Sequence, residues 1–155
     1  MGGAKGGFYY LINMLAQERL TNACSAVAGA EAALQVTLDY VRERKAFDRP
    51  ISRFQNTRFK LAEMRTQIGV AQVFVDRCVM DHNQKQLTPE VAAEATLFTT
   101  ELLGKVVDEG VQLRGGWGYM WEYPICKMYA SARIQRIFAG TSEIMKEIIS
   151  RGMKL

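Results

Sequence analysis

The segment IFAGTSE, residues 137–143, has residue types that could hold a ligand, but no proton-transferring group at its centre. Thr141 or Ser142, with Glu143 ahead of an apolar run, is typical of a helix N-terminus. The first N–H groups of a helix have no partner within it, so they can bind an anion or a carbonyl oxygen. Ala139 carries neither an acid nor a base. A residue that does acid–base chemistry at this turn must therefore come from another part of the chain.

Two charged pairs elsewhere could supply an acid, a base or an anion-binding group. Glu18 and Arg19 lie in the segment LAQERL, and Arg44 and Lys45 lie in RERKAF. Each pair also has an ordinary structural explanation. Glu18 and Arg19 are typical of a solvated helix surface. Arg44 and Lys45 are cations of the kind that a helix C-terminus favours through its dipole.

The glycine-rich segment VQLRGGWGYMWEYP, residues 111–124, is a third candidate for ligand binding. Its glycines lack the G-x-G-x-x-G spacing and follow no predicted strand, so a phosphate-binding loop of that type is not indicated. Taken alone, the segment predicts a helix end and a tight turn. Three aromatic residues would then pack in the core: Trp117, Tyr119 and Trp121.

Histidine and cysteine usage argues against a metal site or a Ser-His-Asp triad. His82 is the single histidine, and its pattern places it on the inner edge of a helix. The three cysteines, Cys24, Cys78 and Cys126, have no metal-ligand spacing. They are expected to be reduced, mostly buried thiols of an intracellular protein. No metal ligand is predicted.

Length and composition predict one globular domain. The chain has 155 residues, 48% hydrophobic and 23% charged, and it has no apolar run long enough to cross a membrane. Residues 1–10 are expected to be a leader or a cut linker, and residues 11–155 the domain. The net charge of +4 is interleaved with acidic residues, which indicates a solvated surface and not a nucleic-acid interface.

Apolar residues recur every three or four positions, and no segment alternates with the period of a strand. Long helices are predicted over residues 11–45, over residues 55–83, and from Thr88 to the RGGWGY segment. Shorter helices are predicted over residues 124–136 and 141–151. The core stripe of the third helix is predicted to be Val91, Ala95, Phe98, Leu102, Val106 and Leu113. The fold class is therefore all-α, an up-and-down helical bundle with shorter C-terminal helices.

In this order on a helical frame, four segments together resemble the C-terminal domain of the acyl-CoA dehydrogenases, most of all the long-chain and isovaleryl-type members. They are RERKAF, FQ at residues 54–55, VQLRGGWGYMWEYP and IFAGTSEIM. The resemblance covers residues 8–151. It implies one domain of an FAD-dependent enzyme that converts acyl-CoA thioesters to trans-2-enoyl-CoA. The N-terminal helical domain and the middle β-domain of that family are absent from this chain.

The resemblance also implies which residues contact FAD. Residues that match the family's RKxF pattern would contact the flavin dinucleotide of a neighbouring subunit, and a guanidinium there suits a pyrophosphate. A glutamine after that pattern, the Q-x-x-G-G loop and the residues after the catalytic turn match other FAD contacts. The implied cofactor-binding residues are Arg44, Lys45, Phe47, Gln55, Gln112, Gly115, Gly116, Thr141, Ser142 and Glu143.

The catalytic base implied by the resemblance is Glu18. Most members carry a glutamate where this chain has Ala139, but the long-chain and isovaleryl-type members have a small residue there. Their base is a glutamate just before an arginine in the first long helix, which corresponds to Glu18 and Arg19. Burial beside flavin and acyl chain is expected to raise the pKa of Glu18 towards neutrality.

The remaining substrate contacts follow from the same resemblance. Arg19 would orient the substrate or Glu18, and the Ala139 N–H would bind the thioester carbonyl. Gly140 matches a substrate-contacting position, and Phe138 takes the place of an aromatic lid. The sequence departs from the family pattern at ASAR, residues 130–133, and at Thr96, where a lysine is usual.

Partners and alternatives follow as well. The resemblance implies acyl-CoA as substrate, electron-transferring flavoprotein as redox partner, and a homotetramer or homodimer. The location would be the cytoplasm of a bacterium or the mitochondrial matrix of a eukaryote. This chain alone is expected to be inactive and to bind no flavin. Two alternatives stay open: a non-catalytic helical interaction module of the same fold, and an acyl-CoA oxidase.

Overall fold

The described residues form five α-helices, as the sequence predicts. The computed structural model describes residues 4–154, without the side chains of residues 4–6, 8, 9, 12 and 13. The helices are α1 (Ala4–Glu43), α2 (Gln55–Asn83), α3 (Pro89–Arg114), α4 (Pro124–Gln135) and α5 (Ser142–Gly152). The all-α bundle, with three long helices closed by two shorter ones, is confirmed.

Helix α1 begins seven residues before the predicted start. Residues 1–3 of the expected leader lie outside the described residues, and from Ala4 onward the chain is helical. Glycine costs about 1 kcal/mol in a helix, which is why the glycine-rich start predicts no helix. Extension of an existing helix adds one hydrogen bond per residue, which offsets part of that cost.

A small hairpin follows α1, where the sequence predicts no strand. Its strands are β1 (Lys45–Ala46) and β2 (Arg49–Pro50), paired antiparallel. The turn residues Phe47 and Asp48 have φ values of 51° and 61°, which corresponds to a two-residue turn of the I′ type. Two-residue strands are too short to leave an alternating pattern in the sequence. A short 3₁₀ helix, Ile51–Arg53, leads from the hairpin to α2.

Helix caps account for the starts of α3 and α5. The Val91 N–H donates to Thr88 Oγ1 at 3.3 Å, and Pro89 occupies the first helical position. The Ile144 N–H donates to Thr141 Oγ1 at 3.3 Å in the same way. Both caps agree with the sequence-based prediction.

Helix α3 lies at the centre of the bundle and packs against the other four helices. It therefore buries more than one face, and the predicted single stripe is incomplete. The sequence pattern did not place threonines in the core, because a hydroxyl is a polar group. Thr99 and Thr100 are nevertheless buried, since their hydroxyls donate to the carbonyls of Ala95 and Thr96, each at 2.8 Å. Phe98 was predicted to be core but is 41% exposed.

The expectation that the glycine-rich segment buries its aromatic residues is wrong. A 3₁₀ helix, Gly115–Tyr119, carries the segment along the surface. The aromatic side chains of the segment are exposed: 48% for Trp117, 82% for Tyr119 and 62% for Trp121. Trp117 makes an edge contact with Tyr123, with ring centroids 5.5 Å apart. The segment thus presents its apolar surface outward.

The remaining sequence expectations concern cysteines, metals and membranes. Cys78 is buried, Cys24 and Cys126 are half-buried, and all three are free thiols. His82 is half-buried near the end of α2. Across residues 4–154, no group of histidine, cysteine and acidic side chains is arranged to hold a metal ion. None of the described helices is both long and apolar enough to span a bilayer.

We expect Gly110→Ala to destabilise the fold. A Cβ at this position of α3 would lie 2.7 Å from Ile125 Cδ1 and 2.8 Å from Thr37 Oγ1. Overpacking of this kind costs about 1–3 kcal/mol of unfolding free energy. Urea denaturation measures the loss. Gly7→Ala is the control, because an added Cβ there meets no atom of the described residues within 4 Å. If both variants unfold at the same urea concentration, the close approach of α1, α3 and α4 is contradicted.

Candidate functional site

The structure divides the predicted site residues between the two ends of the bundle. We call one group the turn cluster; it consists of Glu18, Arg19 and residues 138–143. The other is the hairpin cluster; it consists of Arg44, Lys45, Phe47, Gln55, Gln112, Gly115 and Gly116. Glu18 and Glu43, the last residue of α1, are about 38 Å apart along the helix axis at 1.5 Å per residue.

In the turn cluster, Glu18 and Ala139 line the same open groove. Its volume is about 360 Å³, and Phe138, Thr21, Asn22 and Ser25 line the rest of it. Asn22 Nδ2 donates to the carbonyl oxygen of Gln135 at 3.1 Å, which ties α1 to the end of α4. Residues more than a hundred positions apart in sequence thereby share one surface. The groove offers a carboxylate, hydroxyls and an aromatic edge to a ligand.

The turn that carries Ala139 has an unusual backbone. Ala139 has a φ of 58° and Gly140 a φ of 117°. The φ of Gly140 favours glycine, and a Cβ there would also lie 2.5 Å from Met145 Cε, the end of a flexible side chain. The Ser142 N–H closes the turn by donating to the Arg136 carbonyl at 3.3 Å. Within the described part of the chain, no hydrogen bond uses the Ala139 N–H. That group is available to a ligand carbonyl.

Glu18 and Arg19 face different surroundings, although they are neighbours. Glu18 is exposed to the groove, so residues of this chain do not bury it. Arg19 is only 6% exposed and does not line the groove, and burial lowers the pKa of its guanidinium although the charge of Glu18 opposes this. Among the described residues, Arg19 Nε has no hydrogen-bond partner, so both roles expected of Arg19 stay predictions.

Thr96 explains how the chain accommodates one departure from the family pattern. Its hydroxyl donates to the carbonyl oxygen of Arg19 at 2.9 Å and lies 3.0 Å from that of Ala92. Thr96 is 2% exposed, at the contact of α3 with α1. A small hydroxyl residue there fills the interior and links α3 to the backbone beside Glu18.

The residues after the turn contact a carboxylate that sequence reasoning missed. Ser142 Oγ donates to Glu101 Oε1 at 2.7 Å, and Arg136 Nη1 donates to Glu101 Oε2 at 3.2 Å. Burial acts to raise the pKa of Glu101, but these two hydrogen bonds outweigh it and hold the pKa below its usual range. Glu101 lies in the middle of α3, and no local motif marks it.

A polar cavity of about 400 Å³ adjoins this contact. Thr141 and Glu143 line it, together with the cations Arg133, Arg136 and Lys146. Hydrogen bonds from its own backbone N–H and from Thr141 lower the pKa of the exposed Glu143 carboxyl. The cavity combines hydroxyl, carboxylate and cationic groups and is suited to a polar ligand.

The hairpin cluster is held together by contacts between α1 and α3. Arg114 is buried and donates through Nη2 to the Val36 carbonyl oxygen at 2.5 Å. Its guanidinium carbon lies 4.9 Å from the centroid of the Tyr40 ring. Lys60 Nζ contacts Glu109 Oε2 at 2.5 Å and links the start of α2 to α3. These contacts place the end of α1, the start of α2 and the glycine-rich segment at one end of the bundle.

The surface of the hairpin cluster is open. Phe47 is 89% exposed at the tip of the hairpin, and Arg44, Lys45, Gln55 and Gln112 are also exposed. A Cβ added to Gly115 or Gly116 would meet no described atom within 4 Å, and Gly115 has a φ of 60°. The cluster therefore offers cations, amides, an aromatic ring and accessible backbone to a ligand outside the chain.

Comparison with known proteins agrees with these observations. The sequence matches the family described as "Acyl-CoA dehydrogenase, C-terminal domain" over residues 5–154. It is 47% identical over 151 residues to the mitochondrial long-chain specific acyl-CoA dehydrogenase of Rattus norvegicus, covering 97% of this chain and 35% of that protein. It is 35% identical to the mitochondrial isovaleryl-CoA dehydrogenase of Oryza sativa subsp. japonica, covering 97% of this chain and 37% of that protein.

A solved structure shows the same fold. The crystal structure of an acyl-CoA dehydrogenase from Geobacillus kaustophilus matches with a TM-score of 0.93 and 41% identity, covering 96% of this chain and 39% of that one. The chain thus spans between a third and two fifths of the length of these relatives.

We expect Glu101→Gln to remove a pH-dependent part of the stability. The pKa of Glu101 is lowered in the folded state, so the ionised side chain stabilises the fold. This contribution to the free energy of unfolding is fully present above the pKa of an unperturbed glutamate, about 4.3, and is lost as pH falls through the folded-state pKa. The Glu101 side chain is 38% exposed, so solvent screening limits the effect to about 1 kcal/mol. Urea denaturation at pH 7 and pH 3 measures it. An equal difference between wild type and variant at both pH values would contradict this expectation.

Proposed function

The chain belongs to the acyl-CoA dehydrogenase family, whose C-terminal domain it matches over residues 5–154, and we propose that it forms part of an FAD-dependent acyl-CoA dehydrogenase. The reaction is the α,β-dehydrogenation of an acyl-CoA thioester to a trans-2-enoyl-CoA, as in the oxidation of fatty or branched-chain acyl groups. In the proposed enzyme, this chain supplies the C-terminal helical domain, and the N-terminal helical and middle β-domains expected of the family lie outside it.

The shared groove of Glu18 and Ala139 is the observation that carries the proposal. Ala139 occupies the position where most family members are expected to hold a glutamate base. Among the described residues that line the groove, Glu18 is the carboxylate. A base from α1 can therefore serve a substrate bound against the turn, although the turn itself carries no acid or base.

The proposed proton transfer uses groups of this chain. The Glu18 carboxylate removes the α-proton of the acyl thioester and holds it as a neutral carboxylic acid. The Ala139 N–H donates to the thioester carbonyl oxygen, where negative charge develops as the α-proton leaves. Phe138 is 46% exposed at the edge of the groove and covers the acyl chain. Because Glu18 is exposed in this chain, the water exclusion that a strong base needs must come from the substrate and the other domains.

The residues of both clusters fit FAD by their chemistry. Arg44 and Lys45 are exposed cations suited to a pyrophosphate, and the glycine backbone at Gly115 and Gly116 is accessible. Thr141, Ser142 and Glu143 provide hydroxyl, carboxylate and helix N-terminal groups at the other end. When bound, FAD supplies the acceptor for the β-hydrogen, which leaves as hydride. Because the clusters are about 38 Å apart, we infer that they serve two FAD molecules in an assembly of at least two copies, a homodimer or homotetramer.

The partners proposed for the whole protein follow from family membership. Acyl-CoA is the substrate, and electron-transferring flavoprotein reoxidises the flavin. The location is the cytoplasm for a bacterial protein and the mitochondrial matrix for a eukaryotic one. An acyl-CoA oxidase would share the groove but pass electrons to oxygen, and a non-catalytic module would have no need of Glu18.

We expect Glu18→Gln in the full-length protein to slow flavin reduction by acyl-CoA about 100- to 10,000-fold, with FAD content unchanged, because the general base is lost. Stopped-flow absorbance under anaerobic conditions measures this rate with long-chain and branched substrates. Glu31→Gln, the same change farther along α1, is the matched control. Near-normal reduction by Glu18→Gln would eliminate Glu18 as the base.

A second variant tests the shared groove directly. Adding Ala139→Glu to Glu18→Gln should restore part of the lost rate, because a carboxylate at residue 139 enters the same groove. No recovery, in a protein that retains FAD, would argue against a common substrate position. Rapid reoxidation of the reduced flavin by air would identify an oxidase instead of a dehydrogenase.

Removal of a cation from the hairpin cluster is expected to lower the affinity for FAD. Arg44→Gln in the full-length protein should weaken FAD binding about 10- to 100-fold, because a hydrogen bond to a charged group is lost. Flavin fluorescence during dilution or dialysis measures the retained FAD. Arg42→Gln is the matched control, since Arg42 contacts Asp39 one turn earlier in α1. Equal FAD retention in both variants would remove Arg44 from the site.

A further inference from the structure

The turn between α4 and α5 has few buried apolar side chains to hold it. Helix α4, which precedes the turn, buries Ile125 and Ala132, and helix α5, which follows it, buries Met145. Residues 137 and 138 of the turn itself are nearly half exposed. Because apolar contact has no preferred direction, these side chains do not by themselves fix where the N–H groups of the turn point.

Three polar side chains hold the turn at both of its ends. We call them the turn clamp: Glu101 of α3, Arg136 at the end of α4 and Ser142 at the start of α5. One carboxylate oxygen of Glu101 accepts from Ser142 Oγ at 2.7 Å, and the other accepts from Arg136 Nη1 at 3.2 Å. The Ser142 N–H also donates to the Arg136 carbonyl oxygen at 3.3 Å. A single carboxylate on the central helix therefore binds the residues that flank the turn.

Helix α3 leaves room for Arg136 beside Glu101. Gly104 lies one helical turn after Glu101, and a Cβ there would lie 3.2 Å from Arg136 Cζ. Arg136 Nε is buried, which agrees with a guanidinium that lies against the backbone of α3. The glycine thus allows the cation to cross the helix surface and reach the carboxylate.

The Glu101 carboxylate is suited to bind two donors at once. Burial acts to raise the pKa of Glu101, but the hydrogen bonds from Ser142 and Arg136 outweigh it, and the positive charge of Lys146 on α5 also lowers the pKa. At neutral pH the side chain is therefore ionised, and each of its oxygens accepts from one partner. Hydrogen bonds to an ionised group are stronger than those between neutral groups.

Both hydrogen-bond donors of Ser142 are used within the chain. Its hydroxyl donates to Glu101, and its N–H donates to the Arg136 carbonyl oxygen. A serine hydroxyl has one proton, so Ser142 has an acceptor but no donor left for FAD. This sets Ser142 apart from the other residues that are expected to contact the cofactor after the turn.

The turn clamp flanks the group proposed to bind the thioester carbonyl. Ala139 lies midway between Arg136 and Ser142 in sequence, and no hydrogen bond within the described residues uses its N–H. The backbone on either side of Ala139 must therefore determine the direction of that N–H. Glu101 is not among the residues that line the groove of Glu18 and Ala139, so it acts on the groove through the turn.

We propose that Glu101 is a positioning residue, which holds the turn through Arg136 and Ser142 so that the Ala139 N–H faces the thioester carbonyl. The role towards the carbonyl rests on the proposed function, whereas the clamp itself does not. Hydrogen exchange in the turn tests the clamp without substrate, and flavin reduction tests its consequence, so the two results can differ.

The first test is amide hydrogen exchange, measured by mass spectrometry in the full-length protein without substrate. Glu101→Met keeps the length of the side chain but removes both carboxylate oxygens. It is expected to speed exchange in residues 137–143 about tenfold, because two hydrogen bonds that hold the turn are lost. Glu94→Met, the same change at an exposed position two turns earlier in α3, is the matched control and should exchange as the wild type does. Equal exchange in the two variants would overturn the clamp.

The second test asks whether the clamp acts on the carbonyl. In Glu101→Met, flavin reduction by acyl-CoA should slow about 10- to 100-fold, with FAD content unchanged and substrate affinity within about threefold, because a transition-state hydrogen bond is misplaced. Infrared difference spectra of bound trans-2-enoyl-CoA, with a heavy carbon isotope at the thioester carbonyl, should show the carbonyl stretch at a higher frequency, since a weaker hydrogen bond polarises the carbonyl less. A rate and a frequency equal to those of Glu94→Met would refute the positioning role.

The third test separates the clamp from a direct contact between Ser142 and FAD. Ser142→Ala should retain FAD and slow flavin reduction, and adding it to Glu101→Met should slow the reaction no further, because the two changes remove the same hydrogen bond. Loss of FAD from Ser142→Ala alone, or a double variant in which the two losses multiply, would contradict the proposal. Normal flavin reduction by Glu18→Gln would instead count against the proposed function, and hydrogen exchange would still decide whether the clamp exists.

Discussion

The close packing of α1 against α3 is the constraint on which the other contacts depend. Four alanines of α1 are completely buried there: Ala23, Ala26, Ala30 and Ala33. The buried residues of α3 include alanine, threonine and glycine as well as leucine and valine. At Gly110 even a methyl group would collide with Thr37. Small residues on both helices bring the backbones together, and interiors of this density do not tolerate larger side chains.

The packing of α1 against α3 holds the residues at both ends of the molecule in place. At one end, Thr96 of α3 bonds to the backbone of Arg19 and so holds the segment that carries Glu18. At the other end, Arg114 of α3 bonds to Val36 and packs on Tyr40, which positions the end of α1. A shift of α3 along α1 would disturb the two clusters together. Their separation is therefore set by the length of a rigid helix and not by a flexible loop.

Local signals in the sequence predicted most of the fold and part of the site. Thr88 with Pro89, and Thr141, mark helix starts because capping uses residues within one turn. The hairpin after α1 was missed because two positive φ values at Phe47 and Asp48 leave no pattern of residue types. Local pattern carries little information where non-glycine residues adopt a left-handed conformation.

Long-range contacts account for the other differences. Glu101 meets Ser142 across 41 positions of sequence, and Asn22 meets Gln135 across 113. No periodicity in either segment encodes such a pairing. The family resemblance implied that Glu18 and residues 138–143 belong to one site. Their shared groove, however, follows only from the packing of α1 beside the end of α4. The sequence therefore predicted the elements well, and the side-chain contacts between elements required the structure.

The division of work between turn and helix has a physical reason in the proposed function. Ala139 has a left-handed backbone, and no hydrogen bond within the described chain uses its N–H. A turn of this kind is suited to donate backbone hydrogen bonds. A base must also be held in a fixed direction, and a residue on a packed helix is positioned more accurately than one on a loop. Glu18 stands on α1, which Asn22 ties to the end of α4 one turn later. In the proposed function the two tasks are separate: the turn polarises the thioester carbonyl, and the helix presents the carboxylate.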